Sequence, residues 1–208
     1  AIFNQPRGQA KATIPKGDDC QADRQTIDGI FSDPIPTPAD KLKRATLLLQ
    51  TARATRVANT EKYVLLNMAR EIAADAGKVR LAFQAIDQMD ADYDFDAQAG
   101  RLVTLGLAVK ASLPPKQKRE VIVVGLEMID DMIDRDEYQQ AALVAKPLID
   151  LSIRADDVEL RKVLVEHRRR ALELASEYRE LEAAIATLEK TPDDAAANLA
   201  VGKFHLFA

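Results

Sequence analysis

The sequence is poor in the side chains on which most metal and nucleophilic chemistry depends. Its 208 residues include one cysteine, Cys20, so no disulfide can form within the chain. That cysteine and the two histidines, His167 and His205, are too few for an ordinary four-ligand zinc site. The same scarcity excludes most Cys–His and Ser–His–acid schemes, unless His167 or His205 takes part. We therefore predict a protein that is not an enzyme, and name no catalytic, cofactor-binding or metal-binding residue.

Long apolar runs and an excess of positive charge are also missing. No run approaches the roughly 18 apolar residues that cross a membrane, so we expect no membrane insertion. A net charge of -4 argues against a surface that binds nucleic acid. The chain begins with Ala1 rather than Met, and no positively charged and then apolar signal pattern opens it. We interpret it as a processed or trimmed product of unknown compartment, with an extracytoplasmic location slightly favoured over a cytoplasmic one.

The residues that the sequence does contain favour helix. Ala, Leu, Glu, Lys and Arg dominate, hydrophobic residues make up 47%, and glycine is scarce at 8. We predict an all-α fold of stacked antiparallel helical hairpins over residues 37–208. Prolines and glycines interrupt residues 1–36, which are predicted to form an extended arm or linker that packs through Ile30 and Phe31. A disordered tail is the alternative.

Eight helices are predicted in residues 37–208 from apolar spacings of three and four residues. Thr37 is expected to be the N-cap of the first, with Pro38 at the first helical position. The others are predicted over residues 60–76, 78–89, 95–111, 116–133, 137–153 and 158–190, and from about residue 194. The fifth is apolar on most sides and is expected to be central. The sixth is expected to kink or divide at Pro147.

The seventh predicted helix has the most regular pattern. Spacings of four and three residues alternate along Leu160, Leu164, His167, Ala171, Leu174, Tyr178, Leu181, Ile185 and Leu188. This heptad seam predicts a long packed helix, about 50 Å if it is continuous over residues 158–190. On such a seam we expect His167 to be partly buried and hydrogen-bonded rather than a metal ligand.

Two junctions between predicted helices resemble those of tetratricopeptide repeats. Residues 191–202 are similar to the turn between repeats, and residues 136–141 to the entry of a repeat's second helix. The matching positions of the first junction are Pro192, Ala195, Ala197 and Gly202. The resemblance implies a tetratricopeptide-like α-solenoid, similar to helical regions of large secreted bacterial proteins. The last helix then lacks a following partner, and we expect the natural polypeptide to continue beyond Ala208.

Two acidic clusters have the spacing of metal-binding motifs. Residues 130–134, Asp-Asp-Met-Ile-Asp, match the aspartate-rich motif of all-α isoprenoid diphosphate synthases, whose carboxylates hold Mg²⁺. Those enzymes need a second such motif on an opposing helix, and residues 87–96 span a helix end and a connector instead. Asp90, Asp92 and Asp94 begin like a calcium loop, but Phe95 and Arg101 replace its Gly and Glu. We interpret both clusters as solvated helix ends or turns.

A basic patch lies in the seventh predicted helix: Arg161, Lys162, Arg168, Arg169 and Arg170. We interpret it as a solvated face that pairs with nearby Glu residues, with binding of phosphate or of an acidic partner as the alternative. Aromatic residues do not interleave with it, which excludes the stacking that single-stranded nucleic acid needs.

Together these patterns predict a non-catalytic scaffold for protein–protein contact that needs no cofactor. Its partner would be another protein or a neighbouring domain of the same polypeptide. The alternative is a structural protein that forms a homo-oligomer through the heptad helix, residues 158–190. A remote alternative is a Mg²⁺-dependent diphosphate enzyme that uses Asp130.

Overall fold

The protein is all-α, as predicted. A computed structural model describes residues 10–56 and 58–207, without the side chains of His205 and Phe207. These described residues form nine helices and no strand. The helices are α1 (Gly17–Ile30), α2 (Pro38–Ala54), α3 (Thr60–Asp75), α4 (Val79–Asp92), α5 (Ala97–Lys110), α6 (Pro115–Ile133), α7 (Tyr138–Arg154), α8 (Val158–Leu188) and α9 (Ala195–Phe207).

The eight predicted helices correspond to α2–α9, and their ends agree within a few residues. At the starts of α2, α3, α5 and α8, side chains that cap free backbone N–H groups explain this agreement. Thr37 accepts a hydrogen bond from the Asp40 amide at 3.2 Å, and Pro38 occupies the first turn of α2, as predicted. Asn59, Asp96 and Asp157 cap α3, α5 and α8 in the same way.

The extended conformation predicted for residues 1–36 is wrong over Gly17–Ile30, which form α1. Local sequence signals for this helix are weak, because its N-cap, Lys16, makes no side-chain capping bond. A short helix without a strong cap depends on tertiary packing, and α1 packs against α3. Residues 1–9 lie outside the described residues.

Of the two contacts predicted for this segment, through Ile30 and Phe31, one is present. Phe31 packs against the core, as expected, but Ile30 is exposed and Ile27 is the buried residue of α1. The Arg44 guanidinium donates hydrogen bonds to the carbonyls of Phe31 and Asp33 and so holds the chain that follows α1.

The chain separates into two compact units, Ala1–Val121 and Ile122–Ala208, and the division falls within α6. Helix α1 lies in the first unit, where it packs against α3.

In the unit Ala1–Val121, the helices from α2 to α5 each pack against the next along the chain. Tyr93 follows α4 and is fully buried. Its hydroxyl donates a hydrogen bond to the Asn59 carbonyl at 2.7 Å, and its ring meets Tyr63 edge to face at 5.2 Å between centroids. This one side chain therefore joins the end of α4 to the start of α3.

A short bridge ties the N-terminal segment to the same place. The Ala12 amide donates to the Asp92 carbonyl at 2.9 Å, and the Asp94 amide donates to the Ala12 carbonyl at 2.8 Å. Lys11 pairs with Asp90 at 2.8 Å beside this bridge. Residues 11 and 12, which precede α1, are thus anchored by backbone hydrogen bonds and one ion pair.

In the unit Ile122–Ala208, α8 packs against both α7 and α9. Of the kink or division predicted at Pro147, the division is absent, because helix α7 continues through this residue. Pro147 removes the donor that would serve the Leu143 carbonyl. Both residues are exposed, and water can take the place of the missing donor.

Among the described residues, no helix combines the length and the apolar character that crossing a membrane requires.

Tyr93 makes the folded protein sensitive to alkali. Burial, followed by the nearby Asp92 carboxylate, raises the pKa of Tyr93 from 10.0 to about 12. As the pH rises, the Tyr93 hydroxyl loses its proton in the unfolded chain before it does so in the folded protein. Its contribution to stability is therefore complete below pH 10 and is lost as the pH rises towards 12. We expect Tyr93→Phe to cost about 1 kcal/mol at neutral pH, because the Asn59 carbonyl loses its donor.

Denaturant unfolding at a series of pH values measures both effects. The variant should lose less stability than the wild type between pH 10 and pH 12. An equal alkaline loss in the two proteins would contradict the assignment to Tyr93.

Candidate interaction surface

The aspartate-rich motif lies at the C-terminal end of α6, where Asp130, Asp131 and Asp134 are exposed. The structure brings Asp130 to His167 of α8, with 3.1 Å between the carboxylate Oδ1 and the ring Nε2. The His167 Nδ1 lies 2.8 Å from the Val163 carbonyl. Both partners are acceptors, so the ring makes both hydrogen bonds only when each nitrogen carries a proton. His167 is partly exposed and hydrogen-bonded, as predicted.

The second acidic cluster is tied to lysines and to the backbone. Asp90 pairs with Lys11, and Asp92 lies 2.8 Å from the buried amino group of Lys62. The Asp94 amide is used in the bridge to Ala12. These carboxylates therefore serve the packing of the first unit. Across residues 10–56 and 58–207, no group of three or more His, Cys, Asp and Glu side chains is placed to hold a metal ion.

Cys20 lies on α1 and not in the irregular segment that the sequence suggested. It is partly buried against the core of the first unit. Burial, followed by Asp19 and Asp23, raises the pKa of its thiol. A raised pKa leaves little thiolate at neutral pH, which disfavours nucleophilic chemistry at this residue.

The side chain of His205, the other histidine, is not among those that the structure describes.

The basic patch pairs in part with neighbouring carboxylates, as predicted. Arg169 contacts Glu166 and Glu173, and Lys162 lies 3.0 Å from Glu159. The hydrogen bond from Arg169 lowers the pKa of the Glu166 carboxyl. These pairs connect successive turns of one exposed helix face and each stabilise it only slightly.

The heptad seam of α8 is largely covered within its own unit. Leu164 and Ala171 are fully buried and Leu181 is nearly so, while α7 and α9 both pack on this helix. Towards the C-terminal end the cover is incomplete, since Ile185 is 44% exposed. The long helix predicted over residues 158–190 is confirmed as α8, which ends two residues earlier, at Leu188.

A row of aromatic rings crosses the three helices α7, α8 and α9. The ring centroids of Tyr138 and Tyr178 are 5.7 Å apart, and those of Tyr178 and Phe204 are 6.1 Å apart, each pair edge to face. The Tyr138 hydroxyl donates to Asp136 at 2.6 Å, and burial, followed by this contact, raises the pKa of Tyr138 to about 12. We call these three rings the aromatic row.

An open groove lies between α8 and α9 beside Phe204 of the aromatic row. Its volume is about 410 Å³, and we call it the α8–α9 groove. The apolar lining consists of Leu181, Ala196, Leu199, Ala200 and Phe204. The polar residues of the lining are Glu177, Glu180 and Lys203, all exposed, and we call these three residues the rim of the groove. Its walls are thus apolar side chains of two packed helices, open to solvent between them.

The sequence predicted α9 but not this groove. Helix α9 buries Ala197 against the unit and leaves Leu199 and Leu206 exposed. A helix of this composition, apolar on several sides, gives no periodicity from which its solvent-facing side could be recognised. The sequence feature that points to the groove is the apolar character of α9 itself.

Comparisons of the chain with protein-family models, with curated proteins and with solved structures found no match. The surfaces of the described residues are therefore the basis for assigning a function.

The seam offers a direct test of where α8 packs. We expect Leu164→Ala to lower the free energy of unfolding by about 2–5 kcal/mol, because it leaves a cavity under a fully buried side chain. The control, Ile185→Ala, shortens an exposed residue of the same seam and should cost less than about 1 kcal/mol. Denaturant unfolding measures both values, and similar losses for the two variants would contradict this packing.

Proposed function

We propose that the protein is a non-catalytic scaffold that binds a segment of another protein, or of a neighbouring domain, in the α8–α9 groove. One observation carries this proposal: the groove is lined by apolar side chains that solvent reaches, in a place bordered by two well-packed helices. Its volume of about 410 Å³ lies in the range of about 300–1,000 Å³ that is typical of pockets for small ligands, so it has room for a few side chains of a partner segment.

The exposed leucines of α9 support the proposal energetically. Leu199 lines the groove and is 59% exposed. Full burial of one such side chain stabilises a complex by about 1.5–3 kcal/mol. Two or three apolar contacts of this size contribute about 3–9 kcal/mol before the cost of association is subtracted, so the proposed complex is a weak one.

The proposed architecture is a degenerate tetratricopeptide-like repeat. Small residues lie where its helices pack, among them Ala141 and Ala145 of α7 and Ala171 of α8, which are fully buried. Such residues let neighbouring helices approach closely. Stacked helical hairpins of this kind present grooves between helices as binding surfaces for partner segments.

We expect Leu199→Glu to weaken partner binding by at least about tenfold, because it places a carboxylate in the apolar wall of the groove. The probe is a peptide selected from a displayed library of helical peptides and measured by isothermal titration calorimetry. The matched control is Leu143→Glu, which changes a leucine of α7 that is 71% exposed and outside the groove lining.

The proposal is supported if Leu199→Glu abolishes peptide binding while Leu143→Glu leaves it unchanged. A library that yields no binder, or equal losses in both variants, argues against it. Circular dichroism should show that both variants keep the helical content of the wild type.

Self-association is a second candidate, and a separate observation favours it. Val158, Val165 and Leu172 are exposed along α8 at spacings of seven residues, which is the repeat of a helix–helix contact. Size-exclusion chromatography with light scattering distinguishes the two functions. The scaffold predicts a monomer at micromolar concentration, whereas a dimer that Val165→Glu dissociates would favour self-association.

A further inference from the structure

Charge is divided unevenly along α8. Its first part, residues 158–170, carries five Lys and Arg residues against two Glu. The remainder of the helix, residues 171–188, carries four Glu residues against one Arg. The α8–α9 groove lies beside the acidic part, so a partner in the groove meets a different electrostatic surface from one on the basic part.

The carboxylates at the groove are available to a partner. Glu177 and Glu180 stand at its rim, and Glu182 lines a smaller depression of about 310 Å³ together with Tyr178. All three are exposed, and none makes an ion pair among the residues that the structure describes. Lys203 and Arg179 are the cations that line the two sites.

We propose that the occupant of the α8–α9 groove is an amphipathic helix with an apolar face and flanking Lys or Arg residues. This inference rests on the proposed function and names the chemistry of its partner. A helix is the shape that fills the space beside two packed helices, with side chains spaced three and four residues apart entering the apolar wall. Basic residues on its flanks then lie opposite Glu177 and Glu180.

The rim carboxylates of Glu177 and Glu180 affect which partner binds more than they raise the affinity. Exposed ion pairs are individually weak, but complementary charges speed association and like charges oppose it. A helix flanked by Glu would place like charges beside the two rim carboxylates. Anionic phosphates and lipid headgroups are disfavoured at this surface for the same reason.

Two synthetic helices test this inference. Each has about 18 residues, enough for a helix with two or more turns in the groove, and an identical leucine face. One carries Lys on both flanks, and the other carries Glu at those positions. Fluorescence anisotropy with labelled peptides measures their affinities for the full chain at about 50 mM and about 500 mM NaCl.

We expect the Lys helix to bind at least about tenfold tighter than the Glu helix at low salt, with a smaller difference at high salt. The double variant Glu177→Lys with Glu180→Lys should reverse the order of the two peptides. The control, Glu61→Lys with Asp150→Lys, makes the same change in net charge at exposed residues outside the groove and should keep the order.

If the two peptides bind with equal affinity and Leu199→Glu abolishes the binding of each, the inference is overturned. The proposed scaffold function would still stand in that case. Binding of neither peptide would overturn both. A dimer of the protein that dissociates in the Glu177→Lys, Glu180→Lys variant would make a second copy of the chain the occupant, and would also overturn the inference.

Discussion

The burial of one face of α8 by two neighbouring helices is the interaction on which the unit Ile122–Ala208 depends. A helix gains most of its stability in a protein from tertiary packing and not from intrinsic propensity. Along α8 the buried residues include Leu164, Ala171 and Leu181, and both α7 and α9 contact this helix. Because the buried set includes alanines, its neighbours can approach closely. The aromatic row adds edge-to-face contacts that join all three helices.

The same packing leaves an apolar groove open. Helix α9 contacts α8, and only Ala197 is buried among its residues whose side chains are described. The other described apolar side chains of α9 are at least partly exposed, and Leu199 and Phe204 among them line the α8–α9 groove. Glu177 and Glu180 of α8 and Lys203 of α9 also line this groove, where we propose that a partner binds. Apolar contact would supply most of the affinity there, and charge would supply the choice of partner.

The unit Ala1–Val121 depends more on polar contacts at its connectors. Tyr93 joins two helices by one buried hydrogen bond, and Ala12 forms backbone bonds on either side of it. Lys62 is buried in an ion pair with Asp92, an arrangement that is costly to break because it would leave a buried charge alone. The acidic residues of this region are consequently part of the fold. Their calcium-like spacing reflects a connector that needs polar anchors.

Sequence patterns alone determined the all-α class, the eight helices α2–α9 and most of their ends, since periodicity, caps and turn residues act within a few positions of the chain. The tertiary structure alone decided that residues 17–30 are helical, that α7 continues through Pro147, and that Asp130 meets His167. It also decided which side of α9 faces solvent. Each of these depends on contacts between residues far apart in sequence, and local patterns do not report such contacts.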